Sequence, residues 1–302
     1  MGISKTHLSF LTSHPLLLLL LLLLPHLAIS ADLTTLIYKG CSGQPLPDSY
    51  KPTLASLFDS LLTQSSSAHF YKTTTGGGGG GAAVFGLFQC RGDLTTADCR
   101  TCVSRIQDTS DRLCGRVAAA RIQLAGCYGL YAVGGPPAVS GTAMLFKTCS
   151  TNQAVGGGFE ERRDTAFSMV QAGMGGGGGF YVTTYESVYA MGQCEGDLSV
   201  SDCGECVTEA VQRAEVECGS AVAGQVYLER CYFSYSYYPN GVPSGGGGGG
   251  SHGMCCLCFQ WSGQQTGKTV AIVVGGAAGL GFLVICLLFI RSLWQKRDGK
   301  SK

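Results

Sequence analysis

The chain has 302 residues, of which 16 are cysteine and 46 are glycine, and a formal net charge of +1 at pH 7. The charge is unevenly distributed, because residues 31–268 carry 15 basic and 19 acidic side chains whereas residues 291–302 carry five basic side chains and one acidic side chain. A mildly acidic main body gives no support for nucleic-acid binding, which needs a basic face.

The first thirty residues have the features of a cleaved secretory signal peptide. Lys5 provides a basic start, the run Leu16–Leu24 is wholly apolar, and small residues at 28 and 30 precede Ala31. The leucine run is too short to span a bilayer, so we expect a signal peptide over 1–30 and cleavage before Ala31. The rest of the chain is then predicted to enter an oxidising compartment, where disulfides persist.

Two sets of six cysteines follow, at nearly the same spacing. Their successive steps are 49, 9, 3, 12 and 13 residues in the first set and 45, 9, 3, 12 and 13 in the second. The members are Cys41, Cys90, Cys99, Cys102, Cys114 and Cys127, then Cys149, Cys194, Cys203, Cys206, Cys218 and Cys231. Four identical steps out of five indicate a tandem duplication, which predicts one module over 31–132 and a second over 140–240.

Helical and extended patterns follow the same order in both predicted modules. Apolar residues over 54–62 recur at i, i+3, i+4, i+7 and i+8, which is one face of a helix, and a weaker counterpart lies at 166–170. Strands are predicted before the motif and at the end of each module, at 83–90, 120–131, 185–194 and 224–235.

The repeated C-x8-C-x2-C motif predicts a turn that enters a helix. Asp98 or Asp202 can cap this helix, and the last two cysteines of the motif, three residues apart, share one of its faces. Because helices and strands do not alternate regularly, the predicted fold is α+β. It consists of two tandem disulfide-stapled modules, each an antiparallel sheet with two helices, and one transmembrane helix.

Four glycine runs are predicted to form flexible loops, because they have no side chains to bury; they lie at 76–81, 156–158, 175–179 and 245–250. The runs at 76–81 and 175–179 are expected at similar places in the two modules, before the motif strand. The last run falls in a predicted juxtamembrane linker over 241–268.

A transmembrane helix is predicted over 269–290, where 22 residues carry no charge and roughly 20 apolar residues suffice to cross the hydrocarbon core. The basic segment 291–302 is then the cytoplasmic tail of a type I single-pass protein, by the positive-inside rule. Small residues four positions apart let two such helices pack closely, namely Gly275 with Gly279 and Ala277 with Gly281. We therefore expect self-association through the span.

A Cys-x2-Cys pair can also be half of a zinc site or a redox centre. Zinc would need a second pair at a suitable spacing, whereas the other cysteines of each module stand singly, and only His69 and His252 remain after signal removal. We therefore predict structural disulfides with no metal and no cofactor. Six cysteines allow 15 pairings, and the sequence alone leaves them open.

No catalytic constellation is predicted, and we expect a non-enzymatic protein. A Ser-His-Asp or Cys-His arrangement would depend on His69 or His252, and both lie beside glycine- or serine-rich sequence. The tripeptide Arg91-Gly92-Asp93 has the form of an adhesion signal, but its counterpart is Glu195-Gly196-Asp197. The shared Gly-Asp pair predicts a turn.

The motif, the six-cysteine spacing and the pairs Cys127-Tyr128 and Cys231-Tyr232 resemble the plant ginkbilobin-type antifungal domain. Two such domains over residues 33–240, one span and a tail too short for a kinase resemble the plasmodesmata-located protein family. The resemblance implies the disulfides Cys41–Cys114, Cys90–Cys99 and Cys102–Cys127, with Cys149–Cys218, Cys194–Cys203 and Cys206–Cys231 in the second module.

The antifungal domain binds mannose through an asparagine after the first cysteine, an arginine before the last and a glutamate in the final strand. Those places hold Ser42, Arg121 and Ala132 in the first module, and Ser150, Gln225 and Ser236 in the second. Arg121 alone matches, so it is the candidate glycan-binding residue.

The resemblance implies a non-catalytic protein in the cell membrane at plasmodesmata, with its ectodomain in the apoplast, that limits cell-to-cell traffic in part by promoting callose deposition. It further implies partners of four kinds: the membrane, copies of itself or related chains, a cell-wall glycan and viral movement proteins. Two alternatives stay open, a membrane-tethered carbohydrate-binding defence lectin and a kinase-less receptor-like protein. The pairing of Cys255, Cys256 and Cys258 and the acylation of Cys286 also stay open.

Overall fold

The structure is a computed structural model that describes residues 32–77, 82–136 and 140–242. These residues form two five-stranded antiparallel sheets, each with helices packed against it. The predicted α+β fold of two tandem modules is confirmed. The predicted signal peptide, span and tail lie outside the described residues, and none of the helices in the described ranges is both long and apolar enough to cross a bilayer.

The first module has five strands and three α-helices. The strands are β1 (Leu36–Cys41), β2 (Phe70–Thr75), β3 (Val84–Cys90), β4 (Ala119–Leu124) and β5 (Cys127–Val133). A 3-10 turn at Asp48–Tyr50 precedes the helices α1 (Lys51–Gln64), α2 (Thr96–Val103) and α3 (Ile106–Cys114). The sheet order is β1-β4-β5-β3-β2, with every neighbouring pair antiparallel.

The second module repeats this topology. Its elements are β6 (Met144–Cys149), α4 (Phe159–Met174), β7 (Phe180–Tyr185), β8 (Val188–Cys194), α5 (Val200–Cys218), β9 (Ala223–Leu228) and β10 (Cys231–Tyr237). The sheet order β6-β9-β10-β8-β7 matches that of the first module strand for strand. The duplication inferred from the cysteine spacing is therefore also a duplication of structure.

The motif helix differs between the modules. In the second module α5 is continuous, so this module has the two predicted helices, whereas in the first module the same stretch is divided into α2 and α3. The continuous helix carries good helix formers, including Ala210 and Ala214, and Arg213 pairs with Glu209 one turn earlier at 2.8 Å. In the divided stretch the Ser104 hydroxyl donates instead to the Thr101 carbonyl, a local bond that competes with helix continuation.

Each core lies between the sheet and its helices. The predicted apolar face of α1 is buried at Leu54, Leu57, Phe58 and Leu61, and only Leu62 is partly exposed. The apolar pattern in α4 is weaker in sequence, but its residues are more deeply buried than those of α1, because Ala166, Phe167 and Val170 are all 0% exposed. Phe167 packs edge-on against Phe233 and Tyr235 of β10, with ring centroids 4.6 and 4.9 Å apart.

The motif helices begin one turn earlier than predicted. The N-cap residues are Thr95 and Ser199, whose hydroxyl oxygens accept from the backbone N–H groups of Asp98 and Asp202 at 3.1 Å. The prediction that Asp98 or Asp202 caps was wrong. A hydroxyl three residues before an acidic side chain forms a capping-box arrangement, in which the aspartate lies inside the first turn.

Two glycine runs lie at different places in the two modules, contrary to expectation. The run 76–81 follows β2 and belongs to the β2–β3 connection, whereas the run 175–179 joins α4 to β7. The β7–β8 connection is only Glu186 and Ser187. Long insertions are tolerated at either loop because the entropy cost of closing a loop grows slowly with its length.

Candidate functional site

The structure places the twelve cysteines of the two sets in six disulfides, which are the pairs that the resemblance implies. They are Cys41–Cys114, Cys90–Cys99, Cys102–Cys127, Cys149–Cys218, Cys194–Cys203 and Cys206–Cys231. Within the described ranges there is no group of three or more His, Cys, Asp or Glu residues that could hold a metal ion.

Two disulfides in each module hold the loop inside the motif. Cys90 ends β3 and Cys127 begins β5, and these residues face each other across the sheet. One bond joins Cys90 to the motif helix at Cys99, and the other joins Cys127 to the same helix at Cys102. The loop 91–95 between strand and helix is therefore fixed at both ends. Its counterpart, 195–199, is fixed in the same way. Each of these two loops faces the opposite module.

The two modules contact each other through a reciprocal pair of hydrogen bonds. The side-chain oxygen of Gln89 accepts from the Gly196 N–H at 2.9 Å, and that of Gln193 accepts from the Gly92 N–H at 3.1 Å. The Gln193 amide also donates to the carbonyl of Cys90 at 2.8 Å. Gln89 and Gln193 precede the first motif cysteine of their modules, so the contact is made by equivalent residues on both sides.

The motif glycines permit the close approach of the modules. A Cβ atom on Gly92 would lie 2.5 Å from the ring of Phe180, and one on Gly196 would lie 2.8 Å from Phe70. The Gly-Asp-Leu sequence does form a turn, as predicted. The glycine itself is required because a phenylalanine of the opposite module occupies the space of its side chain.

The contact surface is the sheet face opposite the helices. Because alternate residues of a strand share a face, Phe85 and Leu87 lie on the same side of β3 as Gln89. Together with Tyr128 and Leu130 of β5 they form a buried cluster, in which no member is more than 8% exposed. Both faces of the central strands β3 and β5 are therefore buried.

The charged side chains of the adhesion-like tripeptide are buried beside this contact region. Arg91 binds Asp93 through two bonds, Nε to Oδ1 at 2.5 Å and Nη2 to Oδ2 at 3.0 Å. Their side chains are only 3% and 4% exposed. An Arg-Gly-Asp segment that closes on itself in this way cannot present its charges to a receptor.

Arg121 lies in the same interface. Its guanidinium stands 4.1 Å from the centre of the Tyr128 ring, and Nη1 donates to Glu229 of the second module at 3.3 Å. The Tyr128 hydroxyl donates to Glu195, which also accepts from Arg230 at 2.6 Å. Burial raises the pKa of Tyr128 well above its usual value, so the phenol stays protonated and acts as the donor.

The surroundings of Arg121 leave little room for a ligand. The residue is only 8% exposed, and the cavity that it lines with Tyr128 and Tyr227 has a volume of about 10 Å³, room for at most a water molecule. The guanidinium is held by aromatic and acidic groups of the interface. Glycan binding through Arg121 stays a prediction.

A second charged contact lies at the half-exposed edge of the interface. Lys72 donates to Asp197 of the second module at 2.5 Å, and Arg230 also donates to this carboxylate. Burial acts to raise the pKa of Asp197, but the bond from Lys72 and the charge of Arg230 outweigh it and hold the pKa below its usual value. Asp197 is therefore ionised at neutral and mildly acidic pH.

Aromatic rings of the two modules also contact each other across the interface, where β1 meets β6 and β9. Tyr38 of β1 stacks on Phe146 of β6 with ring centroids 5.4 Å apart and meets the edge of Tyr227 at 5.5 Å. Tyr227 stacks in turn on Tyr232 at 5.3 Å. Such aromatic pairs stabilise a contact beyond the effect of their buried area.

Reasoning from the sequence missed the two glutamines and the two phenylalanines of this interface. A signal was present, because both copies contain Gln-Cys-x-Gly-Asp-Leu, at 89–94 and 193–198. An identical polar residue before a buried cysteine is unexplained by a disulfide alone. Gly275, Ala277, Gly279 and Gly281 lie outside the described residues, as do Cys255, Cys256, Cys258 and Cys286.

Two disulfide-stapled α+β modules joined through their motif loops define a tandem cysteine-rich protein. The family model described as Salt stress response/antifungal matches residues 40–133 and 148–238. The chain belongs to this family.

Relatives in Arabidopsis thaliana match almost the whole chain. Plasmodesmata-located protein 2 is 50% identical over 311 residues, covering 98% of this chain and 99% of the relative. Plasmodesmata-located protein 1 is 44% identical over 92% of this chain and 94% of the relative. The resemblance inferred from the cysteine motif is confirmed.

Solved structures match the two modules. The tandem DUF26 ectodomain of the Arabidopsis thaliana cysteine-rich receptor-like protein PDLP8 superposes with a TM-score of 0.62 at 33% identity, covering 68% of this chain and 98% of that one. The corresponding ectodomain of PDLP5 gives 0.60 at 30% identity, covering 68% and 100%. Both similarities extend over the tandem arrangement.

Proposed function

We propose that this chain is a non-catalytic membrane protein of plasmodesmata that regulates cell-to-cell traffic. The observation that carries the proposal is the 50% identity to Plasmodesmata-located protein 2 over 98% of the chain. The matched length includes the predicted signal peptide, span and tail as well as the modules. The proposed topology is type I, with the two modules in the apoplast and 291–302 in the cytosol.

The geometry of the modules supports a binding role in place of a catalytic one. The four buried charged residues of the described ranges, Arg91, Arg121, Arg163 and Glu195, are all engaged in ion pairs. None of them stands free in an open cleft, where a catalytic acid or base would be expected. We propose that the ectodomain acts through its outer surface, with callose deposition as the downstream effect and viral movement proteins as further partners.

The proposal is tested with a C-terminal fluorescent fusion of the full chain in plant epidermal cells stained for callose. Punctate wall signal that coincides with callose is expected, together with reduced spread of a diffusible fluorescent protein from cells that overproduce the chain. A fusion from which 32–242 is deleted separates targeting from the activity of the modules. Uniform membrane signal would reject the location, and unchanged spread would reject the regulation.

The predicted span supplies a second test. Replacing Gly275 and Gly279 with leucine removes one small-residue stripe and is expected to disperse the fusion from wall punctae, because close helix packing is lost. Gly276→Leu is the matched control, since residue 276 has leucine four positions later and lies off the stripe. Punctae that persist in the double variant would show that the stripe has no role in targeting.

A further inference from the structure

The segment that joins the first helix of a module to its next strand differs in composition between the two modules. In the first module it is 65–69, Ser-Ser-Ser-Ala-His, and in the second it is 175–179, a run of glycines. The two segments hold the same place in the fold, because His69 and Gly179 each accept, through the backbone carbonyl, from the N–H of the first motif cysteine, at 2.7 and 2.8 Å. Gly179 is therefore the structural counterpart of His69.

In the first module the histidine ring lies beside the motif loop. Its Nε2 atom is 2.7 Å from the carbonyl oxygen of Leu94, and the nitrogen is the donor because a carbonyl oxygen only accepts. Arg100 ties the same segment to the motif helix, since its Nη1 donates to the Ser66 hydroxyl at 2.7 Å. Side chains of the module itself thus satisfy the carbonyl and fill the space next to it.

The second module has glycine at both of these positions, Gly179 in place of His69 and Gly204 in place of Arg100. A Cβ atom on either glycine would meet no atom of the described residues within 4 Å, apart from its chain neighbours and its own helix. The Leu198 carbonyl corresponds to that of Leu94, and within the described ranges no group donates a hydrogen bond to it. The second module therefore keeps the acceptor and has lost the donor.

A cavity of about 80 Å³ lies at this place in the second module. One water molecule needs only about 10–15 Å³, whereas a pocket for a drug-sized ligand has roughly 300 Å³ or more. The cavity is therefore of a size for one small ring. Its walls include Gly177, Gly179, Leu198, Val200 and the Cys194–Cys203 disulfide.

We propose that this cavity is a binding site for a small planar heterocycle that carries an N–H donor and has the size of imidazole. The ring takes the place that the His69 side chain fills in the first module, and it donates to the Leu198 carbonyl. Glu195 and Gly196 also line the cavity and belong to the loop that contacts the first module, so the bound ring lies directly behind that contact. The inference is independent of the proposed plasmodesmal function.

Saturation-transfer NMR on the full chain in detergent micelles measures the binding, with imidazole as the probe at about pH 8, where such a ring is mostly neutral. We expect saturation transfer to imidazole and about fivefold less to N-methylimidazole at the same concentration, because methylation removes the N–H that donates to the carbonyl.

The same chemistry can come from a free heterocycle or from a histidine side chain of another protein, and a peptide pair distinguishes the two sources. The peptide Gly-His-Gly is compared with Gly-Ala-Gly and with imidazole. Stronger transfer to the histidine peptide than to imidazole identifies a side chain as the ligand, and weaker transfer identifies a free ring.

Val200→Trp is the variant that closes the cavity, and Val216→Trp is its matched control. Val200 lines the cavity and is 49% exposed, whereas Val216 on the same helix, α5, is 84% exposed and lies outside the lining. An indole side chain is large enough to occupy the cavity, so Val200→Trp should lower the transfer to imidazole at least about tenfold, and Val216→Trp should leave it unchanged. Both substitutions are at exposed positions, and a denaturant transition equal to that of the wild type confirms that each variant folds.

Three outcomes overturn the proposal. They are no saturation transfer to imidazole in the wild type, equal transfer in the wild type and in Val200→Trp, and equal transfer to imidazole and to N-methylimidazole. The first excludes binding, the second places it elsewhere on the chain or the micelle, and the third excludes the hydrogen bond to the carbonyl.

Discussion

Replacing Phe167 with alanine is expected to lower the free energy of unfolding of the second module by about 3–5 kcal/mol, the usual loss for a buried phenylalanine. Phe167 is 0% exposed and packs edge-on against Phe233 and Tyr235. Its neighbours on α4, Ala166 and Val170, are small and fully buried, so they cannot fill the cavity. Guanidinium unfolding followed by circular dichroism measures the change.

Met169→Ala on the same helix is the control for Phe167→Ala. Met169 is 36% exposed, so its truncation should change the free energy of unfolding by no more than about 0.5 kcal/mol. The core of the first module forms a separate cluster, and a transition assigned to it should remain in place. A Phe167→Ala variant within about 1 kcal/mol of the wild type would mean that the core repacks around the gap.

Replacing Arg121 with methionine is expected to lower the free energy of unfolding by about 3–5 kcal/mol, because it leaves an acidic partner buried without its counter-charge. The side chains of Arg121 and Glu229 are only 9% and 13% exposed, and Glu195 lies in the same cluster. Methionine keeps much of the volume, so the loss reports the charge. The measurement is denaturant unfolding at neutral pH.

A second substitution distinguishes charge from packing at this site. Glu229→Gln in the Arg121→Met background removes the unpaired charge and should recover most of the lost free energy. The exposed pair Lys51–Asp48 provides the contrast, since Lys51→Met should cost less than about 1 kcal/mol. If the double variant is no more stable than Arg121→Met alone, the loss comes from packing on Tyr128 and the ion pair contributes little.

Edge strands were the part of the fold that reasoning from the sequence missed. Strands β1, β2, β6 and β7 are the outer strands of their sheets, and none of them was predicted. β2 and β7 are rich in threonine, and most of their residues are only partly buried, so the alternation of apolar and polar residues is weak. Their extended form depends on hydrogen bonds to the neighbouring strand, which a single segment does not reveal.

Connections were also hard to place. The runs at 120–131 and 224–235 each predicted extended structure without a break, whereas each contains a tight hairpin between two strands, β4–β5 and β9–β10. The first hairpin turns at Ala125 and Gly126, and the second at Glu229 and Arg230. The turn places Arg230 beside the loop that carries Glu195 and Asp197, and Arg230 forms ion pairs with both. This contact could not be predicted without knowing where the strand turns.

The sequence by itself determined the duplication, the helix faces and the α+β class, because cysteine spacing and apolar periodicity are properties of a local segment. The tertiary structure alone decided which surfaces the two copies turn toward each other. Arg121, Arg91 and Asp93 could have presented their charges to solvent on sequence grounds, and all three side chains are buried. Burial at this interface depends on contacts between residues about a hundred positions apart. Such contacts produce no periodic pattern in the sequence, so the sequence alone does not reveal them.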